Sequence, residues 1–175
     1  MKSGRVCALL ISVLGMTMGV SLPLHAAKDA AITTSGLPVP RYVSLKSDHV
    51  NVRGGPTKDH DVAWVYTRAG LPVEITAEFE NWRRVRDSEG AEGWVYHSLL
   101  SGKRTAVVTM KQKDALAPLY DSADPQSAVA AKLQVGVLVQ VKKCRESWCR
   151  VTGNGFDGWI EQQRLWGVYG DEKIE

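Results

Sequence analysis

The sequence predicts an all-β protein built as two small tandem barrels behind a cleaved export segment. Three observations carry that reading. Val73, Ile75, Ala77 and Phe79 recur at every second residue, the period of a half-buried strand. After Arg41, short apolar runs alternate with Gly, Asp, Asn and Pro at the spacing of strands rather than helices. The pattern is also written twice, since Gly70-Leu71-Pro72-Val73-Glu74-Ile75 matches Gly136-Val137-Leu138-Val139-Gln140-Val141 at an offset of 66 residues.

At the N-terminus, Lys2 and Arg5 precede an apolar run from Val6 to Val20, and small residues follow at Ala26-Ala27. A basic start, a short apolar core and a small-residue exit predict a secretory signal over 1–26. The alternative, a membrane anchor, needs ~20 apolar residues, which this run does not reach. No later segment is apolar enough to span, so no stable membrane span is expected after cleavage. Removing 1–26 takes out Lys2 and Arg5 and no acid, lowering the net charge from +3 to +1. So nearly neutral a chain gives no electrostatic case for nucleic acid. Residues 27–41, with Pro38 and Pro40 and no periodicity, read as a flexible lead-in.

The first copy, 42–102, opens with Val50-Asn51-Val52-Arg53-Gly54-Gly55-Pro56. Gly54 and Gly55 are expected to supply positive φ at a tight turn whose exit Pro56 fixes. A glycine-led strand from Gly70, then Trp82-Arg83-Arg84-Val85, then Gly93-Trp94-Val95 complete it. Gly93 and Gly158 are expected at strand corners where the sheet bends to close a barrel. The second copy, 106–168, follows a link around Ser101–Thr105. It repeats Trp148-Cys149-Arg150-Val151 at the same offset and Gly158-Trp159-Ile160 at an offset of 65. Val50 is aligned with Leu116 and Ala63 with Val129. Each copy is about 60 residues long, enough for a five-stranded barrel but marginal in stability alone.

This order of motifs resembles the bacterial SH3-like (SH3b) domain family, whose pattern runs as an "LNVRSGP" opening, a glycine-led strand, an "xWxxV" strand and a closing "GWV". The second copy departs at its opening, where Leu116-Ala117-Pro118-Leu119-Tyr120 stands. The resemblance implies an exported binding and targeting module, often for cell wall or peptide; it implies a class and not a ligand.

Of three cysteines, Cys7 leaves with the signal, and Cys144 and Cys149 remain for a compartment that permits disulfides, periplasmic or extracellular. They flank a four-residue hairpin tip, and Glu78 and Arg83 hold the same places in the first copy as an opposite-charge pair. Facing cysteines would set Lys142 opposite Val151, an awkward pairing that a bulge or a bent strand would resolve. A structural staple is the preferred reading. A redox dithiol lacks the C-x-x-C spacing, and two cysteines without paired histidines do not make a zinc site, so no metal or cofactor is expected.

Six tryptophans in 149 exported residues are a high load. Trp94 and Trp159 read better as core plugs, whereas Trp82 and Trp148, beside hairpin turns, are candidates for an exposed ligand platform. Trp64, Tyr66 and Tyr96 could extend it, since aromatic faces suit sugar rings and proline-rich peptides. Arg53 could fork onto a carboxylate or phosphate, although a cross-strand salt bridge is the preferred reading. His49, His60 and His97 are scattered, and neither HExxH nor GxSxG occurs. No catalytic residue is therefore assigned and no enzyme is expected. The expected function is non-catalytic binding of an envelope component, a cell-wall polymer such as peptidoglycan or its peptides. The alternatives are an adaptor for extended segments of exported proteins, and a purely structural pair of domains with Trp166 and Val168 buried against the first.

Overall fold

The computed structural model describes residues 31–32, 34–112 and 115–175, so the predicted signal over 1–26 lies outside the described residues. A short hairpin of β1 (Ala31–Ile32) and β2 (Pro38–Val39) leads in. The first sheet comprises β3 (Arg41–Leu45), β4 (Val50–Arg53), β5 (Val62–Tyr66), β6 (Pro72–Phe79), β7 (Trp82–Arg86), β8 (Glu92–Tyr96) and β9 (Leu100–Ser101). The second comprises β10 (Thr105–Val108), β11 (Leu116–Tyr120), β12 (Val129–Gln134), β13 (Leu138–Arg145), β14 (Trp148–Gly153), β15 (Phe156–Glu161) and β16 (Leu165–Trp166). A 3₁₀ turn precedes the last strand of each, at His97–Leu99 and Gln162–Arg164.

Both sheets have one order: β5-β4-β8-β7-β6-β3-β9 and β12-β11-β15-β14-β13-β10-β16. There are seven strands where five were expected, and neither sheet closes. Closure would need β5 to pair with β9, a strand of only two residues, so the outer edges of β5 and β12 stay open. The first hairpin joins the rest by one register pair in each copy, Arg53 with Trp94 and Tyr120 with Trp159. Those pairs correct the alignment of the opening strands by one residue. Val50 and Val52 correspond to Ala117 and Leu119, and Val62 to Val129, because the buried set must face inward; Leu116 is half exposed.

The cores are small and aliphatic. Leu45, Val50, Val52, Val73, Ile75, Val85 and Val95 fill the first, and Val108, Leu119, Val139, Val141, Val151 and Ile160 dominate the second. Alternation therefore sends Gly93 and Val95 inward and Trp94 outward, so Trp94 and Trp159 are half-buried on the outer face and plug neither core. Gly93 and Gly158 serve close approach rather than a corner. A Cβ on Gly93 would lie 2.4 Å from Val52, and one on Gly158 would lie 2.8 Å from the Tyr120 carbonyl. Gly54 and Gly55 do not take positive φ; the His60 ring lies over Gly55, 2.2 Å from where a Cβ would stand. Positive φ falls instead on the repeated pair Gly70 and Gly136, at 78° and 82°.

The β6–β7 and β13–β14 hairpins share one bulge. Ile75 faces Val85 and Ala77 faces Arg84, while Val141 faces Val151 and Lys143 faces Arg150, leaving Thr76 and Lys142 unpaired. Beyond the bulge, Glu78 faces Arg83 and Cys144 faces Cys149. The cysteines form a disulfide with Cα atoms 4.1 Å apart, and Glu78 meets Arg83 at 3.1 Å. Glu78 also meets Arg41 at 2.5 Å and accepts from the Ser35 amide and hydroxyl at 2.9 and 2.8 Å. The segment around Ser35 is thus tied to the first sheet, against the expectation of a loose lead-in.

The two sheets touch around the 102–104 link. The Thr105 hydroxyl donates to the Gly70 carbonyl at 2.6 Å. Tyr42 contacts Trp166 edge-on at 5.4 Å and Tyr169 at 4.7 Å, and the Tyr169 hydroxyl donates to buried Glu74 at 2.9 Å. Arg86 meets the other oxygen of Glu74 at 2.5 Å. Burial, with the Glu74 charge behind it, pushes the Tyr42 phenol up to about 12, and burial with the Glu74 hydrogen bond raises Tyr169 as well. Trp166 does rest on the first domain, whereas Val168 packs into the core of the second.

Candidate functional site

A tight hairpin tip places the candidate site in each copy. Glu80 in the first tip, and Glu146 and Ser147 in the second, take positive φ, which turns the chain within two residues. The tip is then fastened to the 3₁₀ turn: the His97 amide donates to the Asn81 carbonyl, and the Gln162 amide to the Ser147 carbonyl, both at 2.8 Å. The tryptophan after each tip is thereby held beside the end of β8 or β15.

In the first domain a cleft of about 310 Å³ opens here, lined by Asn51, Arg53, Lys58, Trp82, Tyr96 and Ser98 together with Leu99. Trp82 and Tyr96 meet edge-on, with centroids 5.4 Å apart and planes at 83°. Trp82 is only 8% exposed, so the expected open indole platform is corrected: Tyr96 covers one side, and the ring forms part of the cleft wall. Arg53 makes no salt bridge to a described carboxylate. Its Nη1 donates to the His60 carbonyl at 2.6 Å, which fixes the guanidinium at the cleft rim and holds the 54–61 loop. Lys58 is exposed on that loop.

The second domain carries a cleft of about 460 Å³ at the matching place, lined by Ser147, Trp148, Glu161, Gln162, Gln163 and Gly170. Half-buried Trp148 again meets a tyrosine edge-on, at 5.5 Å and 82°, but this is Tyr120 from β11. Burial pushes the Glu161 carboxyl upward, yet the hydrogen bonds from Gln163 at 3.0 Å and Arg164 at 2.6 Å outweigh it and hold it below its ordinary value.

Of the residues picked from sequence, the structure brings Arg53, Trp82 and Tyr96 into one cleft and places Trp148 at the equivalent point of the other copy. Trp64 and Tyr66 are not there. They pack on the core side of the β4–β5 hairpin, edge-on to one another at 6.1 Å, and the Tyr66 hydroxyl donates to Asp87 at 3.0 Å. Burial and then the Asp87 charge raise the Tyr66 phenol. Asn51, Lys58 and Ser98 went unnoticed in the sequence. Asn51 was within reach, since alternation along Val50-Asn51-Val52-Arg53 puts Asn51 on the same outer face as Arg53. Among the described residues no group of three or more His, Cys, Asp or Glu is placed to hold a metal, and no helix is long and apolar enough to cross a membrane.

A family model described as "Bacterial SH3 domain" matches residues 46–102 and 113–167. A comparison with curated proteins gave no match. Similar solved structures include NlpC2 from Trichomonas vaginalis, 14% identical over 73% of this chain and 48% of that one, with a TM-score of 0.32. NlpC1 from the same organism is 14% identical over 79% and 49%, with a TM-score of 0.33. An NlpC/P60 family protein from Bacillus cereus is 13% identical over 71% and 55%, with a TM-score of 0.28. The chain spans about half the length of these proteins, and at such scores they carry no argument about its chemistry.

Proposed function

This chain belongs to the bacterial SH3 domain family, which it carries in two copies, and from that premise we propose that it is a non-catalytic binding module for a cell-envelope component, first of all peptidoglycan or its peptides. The observation that carries the reading is the first-domain cleft. It combines aromatic walls from Trp82 and Tyr96 with the polar and cationic rim of Asn51, Arg53 and Lys58, a surface suited to a sugar–peptide polymer. The Cys144–Cys149 disulfide supports a working place outside the cytoplasm, periplasmic or secreted. Two weak sites held in one chain act together by raising effective concentration.

The test is co-sedimentation of the protein with purified cell-wall sacculi at two salt concentrations. Tyr96→Ala with Trp148→Ala is the companion variant, checked for native near-ultraviolet circular dichroism. Trp82 is left in place, because truncating so buried a ring would disturb the hairpin. Binding by the parent that the variant loses supports the reading; a parent protein that stays in the supernatant refutes it. A second reading, an adaptor for extended segments of exported proteins, is favoured by the open edge at β12. There Val129 is 47% exposed, on an edge able to accept an added strand.

A further inference from the structure

The two clefts share the hairpin tryptophan, the residue facing it on the next strand and the 3₁₀ turn, but only the first is also lined from the opening strand, and the tyrosine that meets each tryptophan differs in origin. In the first, the tyrosine that meets the hairpin tryptophan comes from β8 (Tyr96), and β4 supplies a cation (Arg53). In the second, the tyrosine comes from β11 (Tyr120), and β15 supplies a carboxylate (Glu161) at the position of Tyr96. The register pairs fix both equivalences: Arg53 faces Trp94 as Tyr120 faces Trp159, and Trp82 faces Tyr96 as Trp148 faces Glu161. The geometry of the rings is conserved across this swap, while the charge at the rim reverses.

Resting on the binding reading above, we propose that the first cleft recognises a free peptide carboxylate and that the second does not. The cationic groups are Arg53 and Lys58. Arg53 spends only Nη1 on the His60 carbonyl; among the described residues the rest of its fork has no partner, and neither it nor Lys58 meets a carboxylate. No acidic side chain lines this cleft. A guanidinium held in place by a backbone carbonyl is already oriented, so little side-chain freedom is lost when it meets a carboxylate. The aromatic walls take the apolar side chain that precedes the terminal group. In the second cleft no cation lines the walls: Glu161 stands beside Trp148 and holds Arg164 in an ion pair, and Arg145, which faces Trp148 across the hairpin, lies over the Trp159 ring.

The test uses ¹⁵N-labelled protein and two probes, N-acetyl-alanyl-alanine as the free acid and as its C-terminal amide. The acid is expected to shift the Trp82 indole N–H with an affinity about fivefold above the amide, the scale of one exposed ion pair, and to leave the Trp148 indole unmoved. Lys58→Gln, on an exposed loop side chain, should lower that ratio without disturbing the spectrum elsewhere; Arg53→Gln should abolish it. Equal affinities for acid and amide, no shift of the Trp82 indole, or an acid-selective shift at Trp148 overturns the proposal. Sacculus binding separates this from the parent reading. Sacculi that bind the Arg53→Gln, Lys58→Gln protein as well as the parent refute carboxylate recognition and leave wall binding standing. An acid-selective Trp82 shift without sacculus binding does the reverse.

Discussion

Replacing Glu78 by Gln should unfold the first domain more readily than any surface charge substitution in this protein. The Glu78 side chain is fully buried, and its oxygens receive Arg41 at 2.5 Å, Arg83 at 3.1 Å, and the Ser35 amide and hydroxyl. Glutamine keeps the shape and one acceptor oxygen. It removes the negative charge between two guanidinium groups and turns an NH₂ toward donors that need an acceptor. Removing one partner of a buried ion pair costs 3–5 kcal/mol as a rule. The Arg41 and Arg83 side chains are 17% and 10% exposed, so some water reaches them and the low end, about 3 kcal/mol, is expected. Arg84→Gln is the matched control. Its partner Glu92 is 2.6 Å away, but the two side chains are 48% and 30% exposed, and its loss should cost no more than about 1 kcal/mol. Urea unfolding followed by tryptophan fluorescence reads both. If Glu78→Gln costs less than about 1 kcal/mol, or no more than Arg84→Gln, the carboxylate does not hold the hairpin and the reasoning is wrong.

Three further outcomes are expected. Cys144→Ala with Cys149→Ala removes a closed loop of sequence separation 5, and the loop-closure relation gives a loss of about 2 kcal/mol, to be read from the urea midpoint; an unchanged midpoint would contradict it. Gly93→Ala and Gly158→Ala should each cost about 1–3 kcal/mol through overpacking against Val52 and against Leu119 with the Tyr120 carbonyl, whereas Gly54→Ala, with nothing within 4 Å and no positive φ, should cost well under 1 kcal/mol; thermal melts showing equal losses at all three positions would sink the close-approach argument. The raised Tyr42 phenol favours the folded state in its protonated form, so this contribution is complete below pH 10 and is lost as pH rises to about 12, with Tyr169 acting in the same direction. Unfolding free energies measured across that window should fall, and a Tyr169→Phe variant should show a shallower fall; a parent and variant with the same slope would remove Tyr169 from the account.

How much of this was legible in the sequence depends on which force fixes each feature. Period-2 alternation and the double motif were enough for an all-β tandem, because burial of Val73, Ile75, Val85 and Val95 has only one solution on a pleated sheet. The facing pairs Glu78–Arg83 and Cys144–Cys149 were legible for the same reason, and so was the bulge before them: the unpaired residue at Thr76 and Lys142 lets an inward valine and a facing cysteine coexist on one hairpin. The tryptophans were misread. For Trp94 a core plug was expected, but Gly93 and Val95 already face inward, and the indole that packs on this core is that of Trp64. Trp82 was expected in the open; the edge-on tyrosine that covers it comes from another strand, a contact no local pattern announces. Arg53 invited a carboxylate partner, and nothing short of the folded 54–61 loop reveals that its partner is the His60 carbonyl.

The alignment error is the most instructive of these, because it concealed the exchange of charge between the clefts. At an offset of 66 residues, Arg53 matches Leu119, a core residue, and the comparison looks like the loss of a motif. With the strand set by its buried face, Arg53 matches Tyr120, and Val52 matches Leu119. Core residues hold each sheet in one register, so only the outward residues of β4 and β11 are free to differ. A tyrosine meets each hairpin tryptophan edge-on, from the adjacent strand β8 in the first copy and from β11, one strand further away, in the second. Whichever strand does not supply it is left to carry a charge at the rim. One copy thus holds Arg53 there and the other Glu161, and the difference in what the two clefts can bind follows from which strand supplies the ring.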